Sequence, residues 1–167
     1  MELNDETLRF IREHCKDDVR NLALQTPKYP NVDMPVALTQ IAGRQSAAEK
    51  IPSWYTEEGI LYPRHLSLEQ CSSEATARYK ASIIPGASSG TLTDLTGGFG
   101  IDCAFLSLKF HHVTYVERQE ALCEIASHNF PLLGLNHIRI ENKDAIQHLQ
   151  EMSSVDWIFI DPARRDG

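Results

Sequence analysis

Cysteine is scarce and scattered in this chain of 167 residues: Cys15, Cys71, Cys103 and Cys123 form no C-x-x-C pair, so the spacing that marks zinc and dithiol redox sites is missing. Reduced thiols of a cytosolic protein are the expectation. The opening MELNDETLRF has no basic segment followed by an apolar run, and no apolar stretch is long enough to cross a bilayer. A cytoplasmic protein without a membrane partner is therefore expected. Positive charge is also in deficit, with 16 Lys and Arg against 23 Asp and Glu, a formal charge of −7. That argues against an undirected electrostatic grip on nucleic acid, which relies on many cations at phosphates, and leaves room only for a local basic patch. What the chain does hold is apolar side chains, 42% of the total, enough for a real core and too many for disorder.

Two kinds of pattern divide the chain. After Asn4, a candidate N-cap, Leu8, Ile11, Cys15, Val19 and Leu22 recur at three- and four-residue steps and predict one amphipathic helix that ends at Pro27 and Pro30. Asp33 and Pro35 predict the start of a second helix running toward Glu49. IPSWYTEEGILYPRH, with two prolines, a glycine and three large aromatics, reads as an irregular connection or a short strand. A third helix is expected from the S-x-x-Q capping box of Ser67 and Gln70 to Ile83, followed by a boundary loop, PGASSG, at 85–90.

Beyond this loop, short apolar runs alternate with helical segments: TLTDLT, IDCAFLSLKF, VTYVE, RQEALCEIASHNF, HIRIEN, AIQHLQEM and DWIFID. This is β-α-β-α-β-α-β, hence a parallel sheet with covering helices. The expected organisation is a helical domain over 1–85 and a Rossmann-like α/β domain over 86–167.

The glycine run DLTGGFG at 94–100 falls where the first strand gives way to a helix with the apolar face Ile101, Ala104, Phe105 and Leu108. Glycines permit a tight turn and close approach to a ligand, and the helix amides face the same space. Three further acids sit near the ends of successive strands: Glu117, Asp144 and Asp161. In an open parallel sheet the ligand crevice lies at the carboxyl ends of the strands, so these acids and Asp94 should gather on one rim. A dinucleotide fingerprint needs glycine where Cys103 stands, and Asp94 would repel a pyrophosphate while suiting a cation, which disfavours a nicotinamide oxidoreductase.

On these residues, the stretch 91–166 resembles the class I S-adenosylmethionine-dependent methyltransferases, whose D-x-G-x-G-x-G motif is matched by Asp94, Thr96, Gly98 and Gly100, with threonine for the first glycine. The resemblance implies that the loop Thr96, Gly97, Gly98, Phe99 and Gly100, with Asp102, holds the methionine part of S-adenosyl-L-methionine. Glu117 with Arg118 would take the ribose, and Asp144 with Ala145 the adenine. Asp161 and Pro162 match the start of the family's D/N-P-P-Y/F motif and would be catalytic, but DPARRD lacks the second proline and the aromatic. Arg164 and Arg165 would then contact an RNA substrate. A closer resemblance, on IAGRQSAAEKIPSWY, is to bacterial RNA methyltransferases with a helical N-terminal arm and a C-terminal THUMP-like domain. The family's sheet has seven strands in the order 3-2-1-4-5-7-6, so a truncated half-sheet of order 3-2-1-4 is expected, with self-association through the open edge of the fourth strand. A protein or small-molecule methyltransferase, or an inactive binding module, is the alternative.

His111 and His112 lack a third ligand at a sensible spacing and read as loop histidines, so no metal is expected. Cys103 and Cys123 fall in helical apolar patterns and read as small buried hydrophobes. Trp54 reads as a core plug more readily than as a platform for RNA bases.

Overall fold

A computed structural model describes residues 3–85 and 90–162. Short polar caps cut its N-terminal half into helices. Asn4 accepts the Thr7 N–H at 2.8 Å and starts α1 (Asp5–Glu13). The single helix expected as far as Leu22 is in fact two, because Asp18 takes an extended conformation and caps α2 (Val19–Ala23) by accepting the Asn21 N–H at 2.9 Å. An aspartate that bonds its own downstream backbone competes with helix continuation, and here it wins. Phe10 and Leu22 from these two helices bury against Met34, Ala37 and Ile41 of α3 (Met34–Lys50). As expected, α3 begins at Asp33, whose side chain accepts the Val36 N–H, with proline in the first turn.

The aromatic-rich segment forms a single turn, α4 (Pro52–Tyr55), and is irregular from there to Arg64. Trp54 is 2% exposed and packs edge-on to Phe99 with ring centroids 5.1 Å apart, so it plugs the core rather than offering a face for stacking. The third helix is also divided, into α5 (His65–Gln70) and α6 (Glu74–Ser82). Ser67 lies inside α5, where its carbonyl accepts the Cys71 N–H, and the working cap is Ser73, which accepts the Thr76 N–H at 3.2 Å. Of the expected boundary loop, residues 86–89 lie outside the described residues.

The sheet is parallel throughout, with β1 (Thr91–Asp94), β2 (His112–Glu117), β3 (Ile138–Asn142) and β4 (Trp157–Phe159) in the order β3-β2-β1-β4, as expected. Crossovers run through α7 (Ile101–Ser107), α8 (Glu120–Leu132) and α9 (Ala145–Glu151). The apolar face of α7 is buried at Ile101, Ala104 and Phe105, whereas Leu108, placed on the same face by periodicity, ends the helix and is exposed. Strand β4 lies at an edge of the sheet, and its Trp157 and Ile158 are exposed.

One apolar cluster includes residues from both sides of residue 85, among them Ala47, Trp54 and Tyr62 with Phe99, Tyr115 and Phe130. Two amide side chains secure this junction. Gln40 of α3 accepts the Tyr62 N–H and donates to the Tyr62 carbonyl, while Asn129 of α8 does the same for Leu61, all at 2.8–2.9 Å. Adjacent residues of an irregular segment are thus paired as a strand would pair them. Asn129 is fully buried. Asn129→Ala, which strips both partners from Leu61, is expected to cost about 2 kcal/mol in urea unfolding, and an unchanged midpoint would show that the clasp contributes nothing.

Candidate functional site

The carboxyl ends of the strands converge on the glycine loop. Leu95 N–H donates to the Phe159 carbonyl at 3.0 Å and Gly97 N–H to the Val116 carbonyl at 2.9 Å, so the loop is joined to both neighbouring strands. Gly98 N–H donates to Glu117 Oε2 at 2.9 Å, and the Tyr115 hydroxyl donates to the Gly98 carbonyl at 2.6 Å. Gly100, at φ +91°, precedes α7, and a Cβ there would come within 2.9 Å of Phe130 Cζ. The threonine that departs from the family pattern has a structural task, because Thr96 Oγ1 accepts the Asp161 N–H at 2.8 Å and ties the loop to the end of β4.

Twelve of the thirteen described residues singled out in the sequence line a single cleft of about 1070 Å³: Thr96 through Gly100, Asp102, Glu117, Arg118, Asp144, Ala145, Asp161 and Pro162. Asp94 does not reach its wall. It is wholly buried, with Oδ1 accepting the Thr96 N–H at 2.9 Å and Oδ2 without a hydrogen-bond partner among the described residues. Arg164 and Arg165 lie outside the described residues. Two rim acids organise backbone: Glu117 Oε1 accepts the Gln119 N–H at 2.8 Å, and Asp144 Oδ1 caps α9 through the N–H groups of Ile146 and Gln147.

The helical region supplies the opposite wall, which the sequence did not disclose. Lys80 of α6 donates to Asp161 Oδ2 at 2.6 Å, Asp102 Oδ2 at 2.9 Å and Ser72 Oγ at 2.9 Å, with its ammonium 5.3 Å from the Phe159 ring centre. No local pattern marks Lys80, since its acid partners lie 22 and 81 residues away. Lys143 is a second cation on the wall and pairs with Glu151 at 3.1 Å.

Burial raises the Asp94 carboxyl from 3.8 to about 7, with the charges of Asp102 and Glu117 adding to the effect and the Thr96 hydrogen bonds opposing it. For Lys80, burial disfavours the ammonium, but hydrogen bonds to Asp161 and Asp102 outweigh it and its pKa is raised. Cys71, also on the wall, is pushed up to about 11 by burial, and its thiol donates to the Leu68 carbonyl, so it is no nucleophile at neutral pH. Cys103 is buried and raised well above its ordinary value. Among the described residues no group of three or more His, Cys, Asp and Glu side chains is placed to hold a metal, and no helix is long and apolar enough to cross a membrane.

No family model matches the chain, and no curated protein does. Solved structures do. The chain is similar to a candidate methyltransferase from Porphyromonas gingivalis W83, at 29% identity and a TM-score of 0.77, over 99% of this chain and 42% of that one. It therefore spans less than half the length of that relative. It is similar in fold to the C-terminal domain of precorrin-6Y C5,15-methyltransferase from Rhodobacter capsulatus, at 18% identity and a TM-score of 0.51, over 57% of this chain and 53% of that one. The O-methyltransferase from Bacillus cereus, solved in complex with SAH, matches at 16% identity and a TM-score of 0.50, over 70% and 63% of the two chains. The chain has the Rossmann-like methyltransferase fold, with helices in its N-terminal region.

Proposed function

We propose that the cleft binds S-adenosyl-L-methionine and that the protein of which it is part transfers the methyl group to RNA. The observation that carries this reading is the gathering of the glycine loop, Glu117, Asp144 and Asp161 on one cleft wall from four separate strand ends. The chemistry of the wall suits a cation, since Glu69, Asp102, Glu117, Asp144 and Asp161 face Lys80, Arg118 and Lys143. Among the described residues, two buried carboxylate oxygens, Asp94 Oδ2 and Asp102 Oδ1, have no hydrogen-bond partner and add acceptors next to the loop. Such groups favour a sulfonium bearing an amino group over a pyrophosphate.

In this assignment the loop from Thr96 to Gly100 with Asp102 holds the methionine end, Glu117 with Arg118 the ribose, and Asp144 with Ala145 the adenine. The bound cofactor supplies the reactive carbon, and the protein's part is alignment and exclusion of water. Asp161 and Pro162 would position the acceptor at the cleft mouth. RNA as acceptor rests on the sequence DPARR, in which Arg164 and Arg165 follow that motif and can meet phosphate. A cytoplasmic setting, the division into a helical unit over 1–85 and a cofactor unit over 86–167, and self-association along the exposed edge of β4 belong to the same reading.

Calorimetric titration with S-adenosylhomocysteine and, separately, with NAD tests the cofactor. S-Adenosylhomocysteine should bind and NAD should not, and Glu117→Ala should weaken binding roughly tenfold through loss of hydrogen bonds to a charged group. Binding of NAD instead, or of neither ligand, overturns the assignment. Methyl-labelled S-adenosylmethionine offered with total cellular extract then reports the acceptor: label in the RNA fraction supports RNA, and label confined to protein or small molecules removes it.

A further inference from the structure

We propose that Lys80 sets how well the cleft tells the positively charged methyl donor from its neutral demethylated product. This inference rests on the reading of the cleft as a site for S-adenosylmethionine. Lys80 stands between two carboxylates that line the same cleft as the glycine loop: Asp102, in the first turn of α7 behind the loop, and Asp161, at the end of β4. Its three named acceptors, Ser72 Oγ, Asp102 Oδ2 and Asp161 Oδ2, match the three protons of an ammonium. With its protons committed and its charge held by two anions, Lys80 is neither a proton acceptor nor a donor to a ligand. Its remaining influence on a ligand is its charge.

Two carboxylates and one ammonium leave this group of three with a single negative charge. Without Lys80 the same pair carries two. With Asp161 neutralised and Lys80 kept, the group carries none. Donor and product share the adenosyl and amino-acid groups and differ by one methyl and one positive charge at sulfur. Contacts to the shared parts therefore cancel in the ratio of their affinities, and the field at sulfur remains. The side chains of Lys80 and Asp102 are 23% and 15% exposed, so the field is only partly screened by water. Lys80 comes from the helical region, so that region would tune how tightly donor is held relative to product without touching either.

The test is the ratio of S-adenosylmethionine to S-adenosylhomocysteine affinity, measured by calorimetry at about pH 8, where carboxylates are ionised. Lys80→Met should shift the ratio toward the charged donor by about tenfold, the scale of one unit charge acting over several ångströms at intermediate dielectric. Lys80→Arg keeps the charge and should stay within about twofold of the parent. Asp161→Asn should shift the ratio about tenfold the other way. The double variant, which again carries one negative charge, should return to the parental ratio. Asp161 is half exposed, so its variant serves if Lys80→Met does not fold. A ratio unmoved by Lys80→Met or Asp161→Asn overturns the inference, as does a double variant that loses both ligands alike, which would mark the tie as purely structural. Absence of binding of either ligand to the parent protein would instead overturn the cofactor assignment itself.

Discussion

Alanine at Gly97 should lower stability by about 3 kcal/mol, at the upper end of the cost of overfilling a packed interior, and remove measurable S-adenosylhomocysteine binding. A Cβ on Gly97 would stand 2.6 Å from Tyr115 Cζ and 2.7 Å from Cδ2, inside the ring's contact distance. The loop cannot back away, because Gly97 N–H is bonded to the Val116 carbonyl. Nor can the ring. Tyr115 is fully buried, donates its hydroxyl to the Gly98 carbonyl and packs edge-on to Phe130 with centroids 5.5 Å apart. Gly98→Ala provides the contrast: its added Cβ finds its nearest neighbour at 3.7 Å, but φ is +55°, so only the left-handed backbone cost of about 1–2 kcal/mol applies. Urea unfolding should rank the two in that order with unchanged slopes. Equal midpoints would mean that the Tyr115 ring moves freely and that the close fit under the loop is incidental.

The same residues show what could be read in advance. Alternating apolar runs imply the parallel sheet because a parallel pair forces a long crossover, the strand order follows only from the family resemblance, and the fold then requires the strand-end residues to share one rim. Glu117, Asp144 and Asp161 could be placed by that rule alone. The purpose of each glycine could not, since Gly97 and Gly100 answer to the rings of Tyr115 and Phe130, which lie 15–30 residues further along the chain. Helix breaks escape periodicity for a related reason. Asp18 and Ser73 each compete with a helix that periodicity would continue, and the choice between Ser67 and Ser73 as cap depends on which backbone is extended. Lys80 left no local trace, because its function as a tie exists only once α6 has packed against α7 and β4 has brought Asp161 alongside. Asp94, which the fold rule assigns to the rim, lies beneath it: the acid that opens the motif supports the loop from below.

That buried position makes Asp94→Asn the second large effect, and its sign depends on pH. The folded carboxyl titrates at about 7, against 3.8 for the ordinary group. Because the folded value is raised, the native state holds the proton more tightly than the unfolded chain does. The associated stability is complete below about pH 4 and is lost as pH rises through about 7. Three units at about 1.4 kcal/mol each set a limit of about 4 kcal/mol. Asparagine reproduces the neutral form and keeps an oxygen for the Thr96 N–H. Parent and variant should therefore unfold alike near pH 4 and diverge above it, with the variant more stable by up to about 4 kcal/mol at about pH 8. Ligand binding should move the opposite way. An ionised Asp94 attracts a cation that asparagine cannot, so the stabilised variant should bind S-adenosylmethionine more weakly at about pH 8, the pattern of a site that holds an unfavourable charge for function. Urea midpoints that track each other across the whole pH range would show that Asp94 is ionised as readily inside the protein as outside it, and the electrostatic account of the loop would fail with it.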